Sequence, residues 1–172
     1  MGDNLPATDL GTGKTATAIA AGSFHTCALL SDGGVKCWGY NGLGSIGDNT
    51  TTRRLLPVSV TGLSGAQKIA AGESHSCALL SGGSVKCWGK NDSGQLGDGT
   101  EVLKAPTTVS GISNASEISV GDRNSCARLD NGSVQCWGEG QIVGIDNNSN
   151  QLSPVTVDNI TTANQINVGY YH

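Results

Sequence analysis

Aromatic residues are scarce in this chain, with one Phe, three Tyr and three Trp among 172 residues, and charged residues make up only 14%. A chain of this length suits one domain with a workable core. That core must therefore come from small aliphatic side chains, tight glycine turns and the few tryptophans. No run approaches the roughly eighteen consecutive apolar residues of a membrane span, and Met1 is not followed by a charged and then apolar leader. Ten Lys and Arg against fourteen Asp and Glu leave a net charge of −4. Affinity for nucleic acid rests on basic residues meeting phosphates, so nothing here points to such a partner. Arg53-Arg54 is the only adjacent basic pair and reads as a solvated loop. Apolar residues are nowhere sustained at helical spacing, and 26 glycines punctuate every run, which excludes helix beyond a single turn.

What the chain does have is a repeat. His25-Thr26-Cys27-Ala28-Leu29-Leu30 leads to Val35-Lys36-Cys37-Trp38-Gly39, and the same pattern returns from His75 to Gly89 and from Asn124 to Gly138. Gly22, Gly72, Gly121 and Gly169 mark its phase at spacings of 50, 49 and 48 residues, and Trp38, Trp88 and Trp137 follow the same period. The repeats run approximately over 2–46, 47–96 and 97–143, with a partial copy at 144–172, so that 1–172 forms one repeat region. Within a repeat the apolar residues fall in strand-length runs, such as Pro57–Val60, Lys68–Ala71, Cys77–Leu80 and Val85–Trp88. Four short strands per repeat of this length is the unit of a propeller blade, and the fold class expected is all-β.

Asp32-Gly33, Gly82-Gly83 and Asn131-Gly132 separate the last two strands of the repeats and tolerate the positive φ of tight hairpins. Two registers are open. A two-residue turn pairs Cys27 with Trp38 and sends Cys37 to the opposite face. A three-residue loop pairs Leu30 with Gly34 and sets Cys27 across from Cys37, Cys77 across from Cys87 and Cys126 across from Cys136. Six cysteines in pairs ten apart, adjacent in one of these registers, point to disulfides of an oxidising compartment. Each would stabilise its hairpin by about 2 to 3 kcal/mol. The alternative is buried free thiols acting as small hydrophobes. Zinc is disfavoured because structural sites use much closer cysteine pairs.

Gly72-Glu73-Ser74-His75-Ser76-Cys77-Ala78-Leu79, then Val85-Lys86-Cys87-Trp88-Gly89-Lys90-Asn91, then Gly94-Gln95-Leu96-Gly97, resembles the RCC1 (regulator of chromosome condensation) repeat family over essentially the whole chain. The first repeat departs mildly at Gly44-Ser45-Ile46-Gly47. The third departs more, with Asn124 in place of His and Glu139-Gly140-Gln141-Ile142-Val143-Gly144 after its Trp-Gly. The paired cysteines resemble the bacterial, exported branch of these repeats. The resemblance implies an RCC1-like β-propeller, about three blades and a partial one, as a partial arc of a seven-bladed ring. Such an arc leaves open edges and uncovered blade faces, so the remaining blades of the same propeller are expected partners and the chain reads as a segment of a longer protein.

His25, His75 and His172 hold equivalent positions on separate repeats, which favours a packing role with each ring bonded to a neighbouring backbone carbonyl; Asn124 retains hydrogen-bonding capacity there. Trp38, Trp88 and Trp137 read as packing between blades. Asp146-Asn147-Asn148-Ser149-Asn150 begins like a calcium loop, but Gln151 stands where the turn needs Gly and Val157 where the bidentate Glu belongs. Gly11-Thr12-Gly13-Lys14-Thr15 lacks the first glycine of a phosphate loop, Thr8 standing there. Sequons at Asn49, Asn91, Asn114, Asn131, Asn147 and Asn159 fit exposed loops. No acid, base or metal set converges outside the scaffold.

The expected function is a non-catalytic interaction module, exported to the periplasm, cell surface or medium, that needs no cofactor and binds a protein or surface polymer through loops where the repeats differ. Those loops carry Arg53 and Arg54, Glu101 and Lys104, and Asp146 and Asn148. Guanine-nucleotide exchange on a small GTPase, implied by the family resemblance, and a purely structural repeat of an adhesion-type protein are the alternatives.

Overall fold

The structure, a computed structural model, describes residues 7–142, 144 and 148–170. Strands β1 (Ala16–Ala21), β2 (His25–Leu30), β3 (Val35–Gly39) and β4 (Arg54–Ser59) form a first antiparallel sheet in chain order. A second holds β5 (Ala66–Ala71), β6 (His75–Leu80), β7 (Val85–Gly89) and β8 (Lys104–Thr108). The third holds β9 (Ala115–Val120), β10 (Asn124–Leu129), β11 (Val134–Gly138) and β12 (Gln151–Thr156). The one helical element among the described residues is a single 3-10 turn at Gly140–Ile142. The outer strand of each sheet lies beyond Gly47, Gly97 or Gly144, so successive sequence repeats interleave, each supplying one sheet's outer strand and the next sheet's inner three.

The hairpins adopt the three-residue loop. Leu30 N–H donates to Gly34 O and Gly33 N–H to Leu30 O, both at 2.9 Å, and Gly33 takes φ 77°. Gly82 makes the second hairpin differ locally. Both Gly82 (φ 90°) and Gly83 (φ 81°) lie in the left-handed region, as a type II turn followed by a left-handed residue requires, while the register is unchanged. Cys27 stands opposite Cys37, Cys77 opposite Cys87 and Cys126 opposite Cys136. Ladder pairs alternate from the hydrogen-bonded Leu30–Gly34 pair, so each cysteine pair is a non-hydrogen-bonded one, where opposite strands come closest. The Cα separation there is 4.1 Å and all three disulfides are formed.

Side chains alternate between the two faces of each sheet. His25, Cys27, Leu29, Val35 and Cys37 face the second sheet and pack with its Ala78 and Trp88. Cys77, Leu79, Val85 and Cys87 repeat that contact against Ile118, Ala127 and Trp137 of the third. Complete burial of an aliphatic such as Val85 contributes about 1.5 to 3 kcal/mol, so these layers hold the sheets together despite the shortage of aromatics. The forward face of the third sheet, with Cys126, Val134 and Cys136, is covered by Ala163, Ile166 and Val168 of the C-terminal segment. Ile166 N–H reaches Glu117 Oε2 at 3.1 Å and Val168 N–H reaches Ser119 Oγ at 2.9 Å. The segment thus lies where the inner strand of a fourth sheet belongs. β1, β5 and β9 line the inside of the arc and touch in succession.

Candidate functional site

Two features stand out above the scaffold: a hydrogen-bonded latch repeated at each blade seam, and a rim of loops. In the latch, His25 Nε2 lies 2.7 Å from Ser76 Oγ on the next blade, and Ser76 Oγ donates to Ser45 O at 3.2 Å. Trp88 Nε1 donates to that same carbonyl at 2.9 Å. At the next seam His75 Nε2 lies 2.9 Å from Ser125 Oγ, which donates to Gln95 O at 2.9 Å, and Trp137 Nε1 also donates to Gln95 O at 2.9 Å. Because each serine spends its proton on the carbonyl, its oxygen accepts from the histidine, which fixes the imidazole proton on Nε2. The histidines therefore do not bond a backbone carbonyl directly: a serine hydroxyl from the following blade intervenes. Their Nδ1 atoms are buried without a hydrogen-bond partner. Burial lowers the pKa of His25 to about 4, and burial, followed by the neighbouring His25 ring and Lys90, lowers that of His75 to about 3. Both rings are neutral packing groups.

The phase-marking glycines hold the seam at the inside of the arc. A Cβ on Gly72 would run into the carbonyl of Gly121 and crowd the His75 ring, and one on Gly22 would meet the Gly72 carbonyl and the His25 ring. Gly121 abuts the Gly169 carbonyl and the side chain of Asn124, which is fully buried. His172 lies outside the described residues.

On the rim, the turns after β1, β5 and β9 and the long loops after β3, β7 and β11 project from the same ends of the strands. Two of the long loops are built around a buried asparagine. Asn91 Oδ1 accepts from Leu96 N–H at 2.9 Å, while its Nδ2 donates to Thr100 O at 2.9 Å and Val102 O at 3.1 Å. Asn41 does the same with Ile46 N, Thr50 O and Thr52 O. The sequon at Asn91 is consequently buried, not exposed, since its amide is consumed in tying the loop down.

Of the loop residues singled out from the sequence, Arg53 is exposed and lines a cavity with Phe24, Gly39 and Tyr40. Arg54 instead braces its own loop, bonding Asp48 Oδ2 at 2.5 Å and Thr50 Oγ1 at 3.2 Å. Burial raises the Asp48 pKa, but hydrogen bonds from Thr50, Arg54 and Asn41 outweigh it and hold the carboxyl below its ordinary range. Glu101 and Asn148 are exposed, whereas Asp146 and the side chain of Lys104 lie outside the description. Lys14 of the glycine-rich stretch pairs with Asp32 at 2.6 Å. Those of them that the structure describes do not converge on one point. Among the described residues no group of three or more His, Cys, Asp or Glu side chains is arranged to hold a metal, and no helix is long and apolar enough to cross a membrane.

Of the large apolar side chains left exposed, Phe24, Tyr40, Leu43, Val102, Leu103 and Tyr170 belong to this rim, and Phe24 meets Tyr40 edge to face at 6.3 Å. The opposite rim contributes Ile160, and Leu55 and Leu56 are exposed on the outer strand β4. A second exposed patch covers the outward face of the first blade. Ile19 is 68% exposed where its counterpart Ile118 is 9%, and Trp38 is half-buried where Trp88 and Trp137 are fully enclosed.

Stacked four-stranded meanders, latched face to face around an inner line of glycines, define the chain as a β-propeller repeat protein. It belongs to the regulator of chromosome condensation (RCC1) repeat family, whose models match residues 16–45, 66–95 and 115–151 and, in a second form, 32–79 and 82–128. The crystal structure of Kap60 bound to yeast RCC1 (Prp20) superposes with a TM-score of 0.82 at 21% identity, covering 95% of this chain and 42% of that one. Human WBSCR16 gives 0.81 at 20% identity over 92% of this chain and 44% of its own. Prp20p from Saccharomyces cerevisiae, in a structure described together with its binding to Gsp1p and histones, gives 0.73 at 26% identity over 84% and 38%. The chain thus spans less than half the length of the propellers it matches.

Proposed function

We propose that this chain is a non-catalytic interaction segment of an exported propeller, binding a protein or surface polymer through the loop rim. The observation that carries the reading is the concentration of exposed apolar side chains on that rim, with the aromatic pair Phe24–Tyr40 beside Arg53. Aromatic residues and Arg are the types that dominate binding energy at interfaces. The equivalent positions are Ser74 and Lys90 in the second repeat and Arg123 and Glu139 in the third, so scaffold is shared while the rim varies. Protein binding by Prp20p, its likeness, supports the same reading. Export is supported by the three disulfides.

The remaining blades of the propeller would cover Ile19 and Trp38. Thr26 stands there at the position of Ser76 and Ser125, ready to receive the histidine of a preceding blade. Adding that blade should shift Trp38 fluorescence to the blue.

The test is partner capture with Phe24→Ser and Tyr40→Lys, which import the second repeat's residues, against Ile160→Ser on the opposite rim. Partners should be lost with the first two variants and kept with the third, and the reverse pattern would overturn the assignment. Nucleotide release from a panel of small GTPases should not accelerate; a robust acceleration would make the chain an exchange factor instead.

A further inference from the structure

Glu73 and Asp122 occupy the same position in consecutive repeats, directly after Gly72 and Gly121, and so meet where the second and third blades touch at the inside of the arc. Asp122 is only 6% exposed, and its Oδ1 is enclosed with no donor. The backbones that carry the two residues touch, a Cβ on Gly72 running into the Gly121 carbonyl, and the Glu73 and Asp122 carboxyl groups act on each other as hydrogen-bonding neighbours. Two carboxylate oxygens in contact repel unless a proton lies between them. The surrounding charges do not supply a substitute donor to Oδ1. Arg123 Nε lies 3.6 Å from the other oxygen, Oδ2, and Arg123 is also drawn to Glu139 at 3.7 Å. Lys90 acts on the pair at longer range while its Nζ lies 3.5 Å from Asp92. Tyr170, from the C-terminal segment, donates its hydroxyl to Glu73 Oε1 at 3.4 Å.

We propose that Glu73 and Asp122 share one proton and form a clasp between the second and third blades, released when that proton is lost. The shared proton sits between two acceptors, one of them the buried Asp122 carboxyl, beside the exposed hydroxyl of Tyr170. Burial, and then the neighbouring Glu73 carboxyl, raise the Asp122 pKa to about 6, whereas the hydrogen bond to Asp122 is the largest influence lowering that of Glu73. A raised carboxyl pKa contributes stability that is complete below its unfolded value of 3.8 and is lost as pH rises through about 6. The clasp therefore holds in acidic medium and loosens at neutral pH, at a point on the same face as the loop rim.

The test uses the whole 172-residue chain with Asp122→Asn and, independently, Glu73→Gln, each of which places a permanent donor between the two groups. The melting temperature of each variant minus that of the parent should be small below about pH 4, widen from there to about pH 6 and then level off. Carbon-13 NMR of the Asp122 carboxyl in the unmodified protein should titrate near the same pH, so the proposal does not depend on either variant folding. A gap that does not change with pH, or an Asp122 carboxyl that titrates in the ordinary range, would overturn it. So would a rise in melting temperature on adding calcium or magnesium that Asp122→Asn abolishes, because the pair would then be a cation site.

Discussion

Trp88 and Ser45 lie 43 residues apart, yet the indole N–H of the one donates to the carbonyl of the other at 2.9 Å, across the first blade seam. The same carbonyl also takes the hydroxyl of Ser76, which in turn accepts from His25. One backbone oxygen thus gathers donors from two strands of the second blade and connects them to a third group on the first. Buried polar groups linked in this way specify geometry, because any displacement leaves a donor unpaired in a medium that cannot hydrate it.

Trp88→Phe keeps most of the ring volume and removes one donor, so it should cost about 1 kcal/mol, while Trp88→Ala should cost about 3 to 5 kcal/mol. Trp38→Ala should cost clearly less, because Trp38 remains half-buried on an uncovered face. Ser76→Ala should cost about 1 to 3 kcal/mol by stranding the His25 proton, and Ser76→Thr should recover part of it. Urea denaturation midpoints check the series. Equal losses at Trp38 and Trp88 would show that the seam does not set the stability.

Much of this fold is legible in the sequence because the repeat reports local geometry. The cysteine spacing and the Gly33, Gly83 and Gly132 turn positions are consistent with a single register once a three-residue loop is assumed, and that register is the one present. Among the described residues helix is absent beyond one turn, as the apolar spacing requires. Relations between blades are not legible in the same way. Ser76 alternates with Cys77 as any half-exposed strand residue does, and only the preceding blade's position against it makes it the histidine's acceptor. Asn91 has the local pattern of a surface sequon, but its amide points into the loop. Glu73 and Asp122 are separated by a whole repeat and meet only because adjacent blades converge at the axis. Arg54 sits in a varied loop, and its partner Asp48 belongs to the scaffold of that same loop.

Acid should weaken the latch by a route separate from the carboxyl clasp. The folded pKa of His25 lies near 4 and that of His75 near 3, each below the ordinary 6.5. Between those values the unfolded chain binds more protons than the folded one, so stability is complete above about pH 6.5 and declines as pH falls toward the folded values. His25→Asn, which adopts the residue found at Asn124 in the third repeat, should flatten this acid limb even if it lowers stability at neutral pH. Denaturant midpoints measured across that range decide it; an acid limb unchanged in the variant would remove His25 from its cause.

Reduction should proceed in order of access. Cys27–Cys37 and Cys77–Cys87 are closed over by the following blade, whereas Cys126–Cys136 lines a cavity of about 310 Å³ beneath the C-terminal segment. Mass spectrometry after alkylation should find no free thiol in the oxidised protein, and graded reductant should label Cys126 and Cys136 first. Replacing Cys77 and Cys87 together by Ala should cost about 2 to 3 kcal/mol. Six alkylatable thiols before reduction would remove both the disulfides and the argument for export.

The long loops should depend on their buried asparagines more than on their own sequence. Asn91 satisfies one N–H and two carbonyls that the loop after β7 would otherwise leave unpaired. Asn91→Asp keeps the shape but removes both amide donors and turns a carboxylate toward the oxygens of Thr100 and Val102. The loss should be about 1 to 3 kcal/mol, concentrated in the loop. Hydrogen exchange should quicken at Leu96 and at the amides of 98–103 while Cys77 and Val85 in the core stay protected. In the third repeat Gly140 replaces this asparagine and lies against the backbone of Ser149, so its loop is held without the amide tie. If Asn91→Asp instead loosened the whole blade evenly, the asparagine would be part of the core, and the rim would lose its claim to be a separately built binding surface.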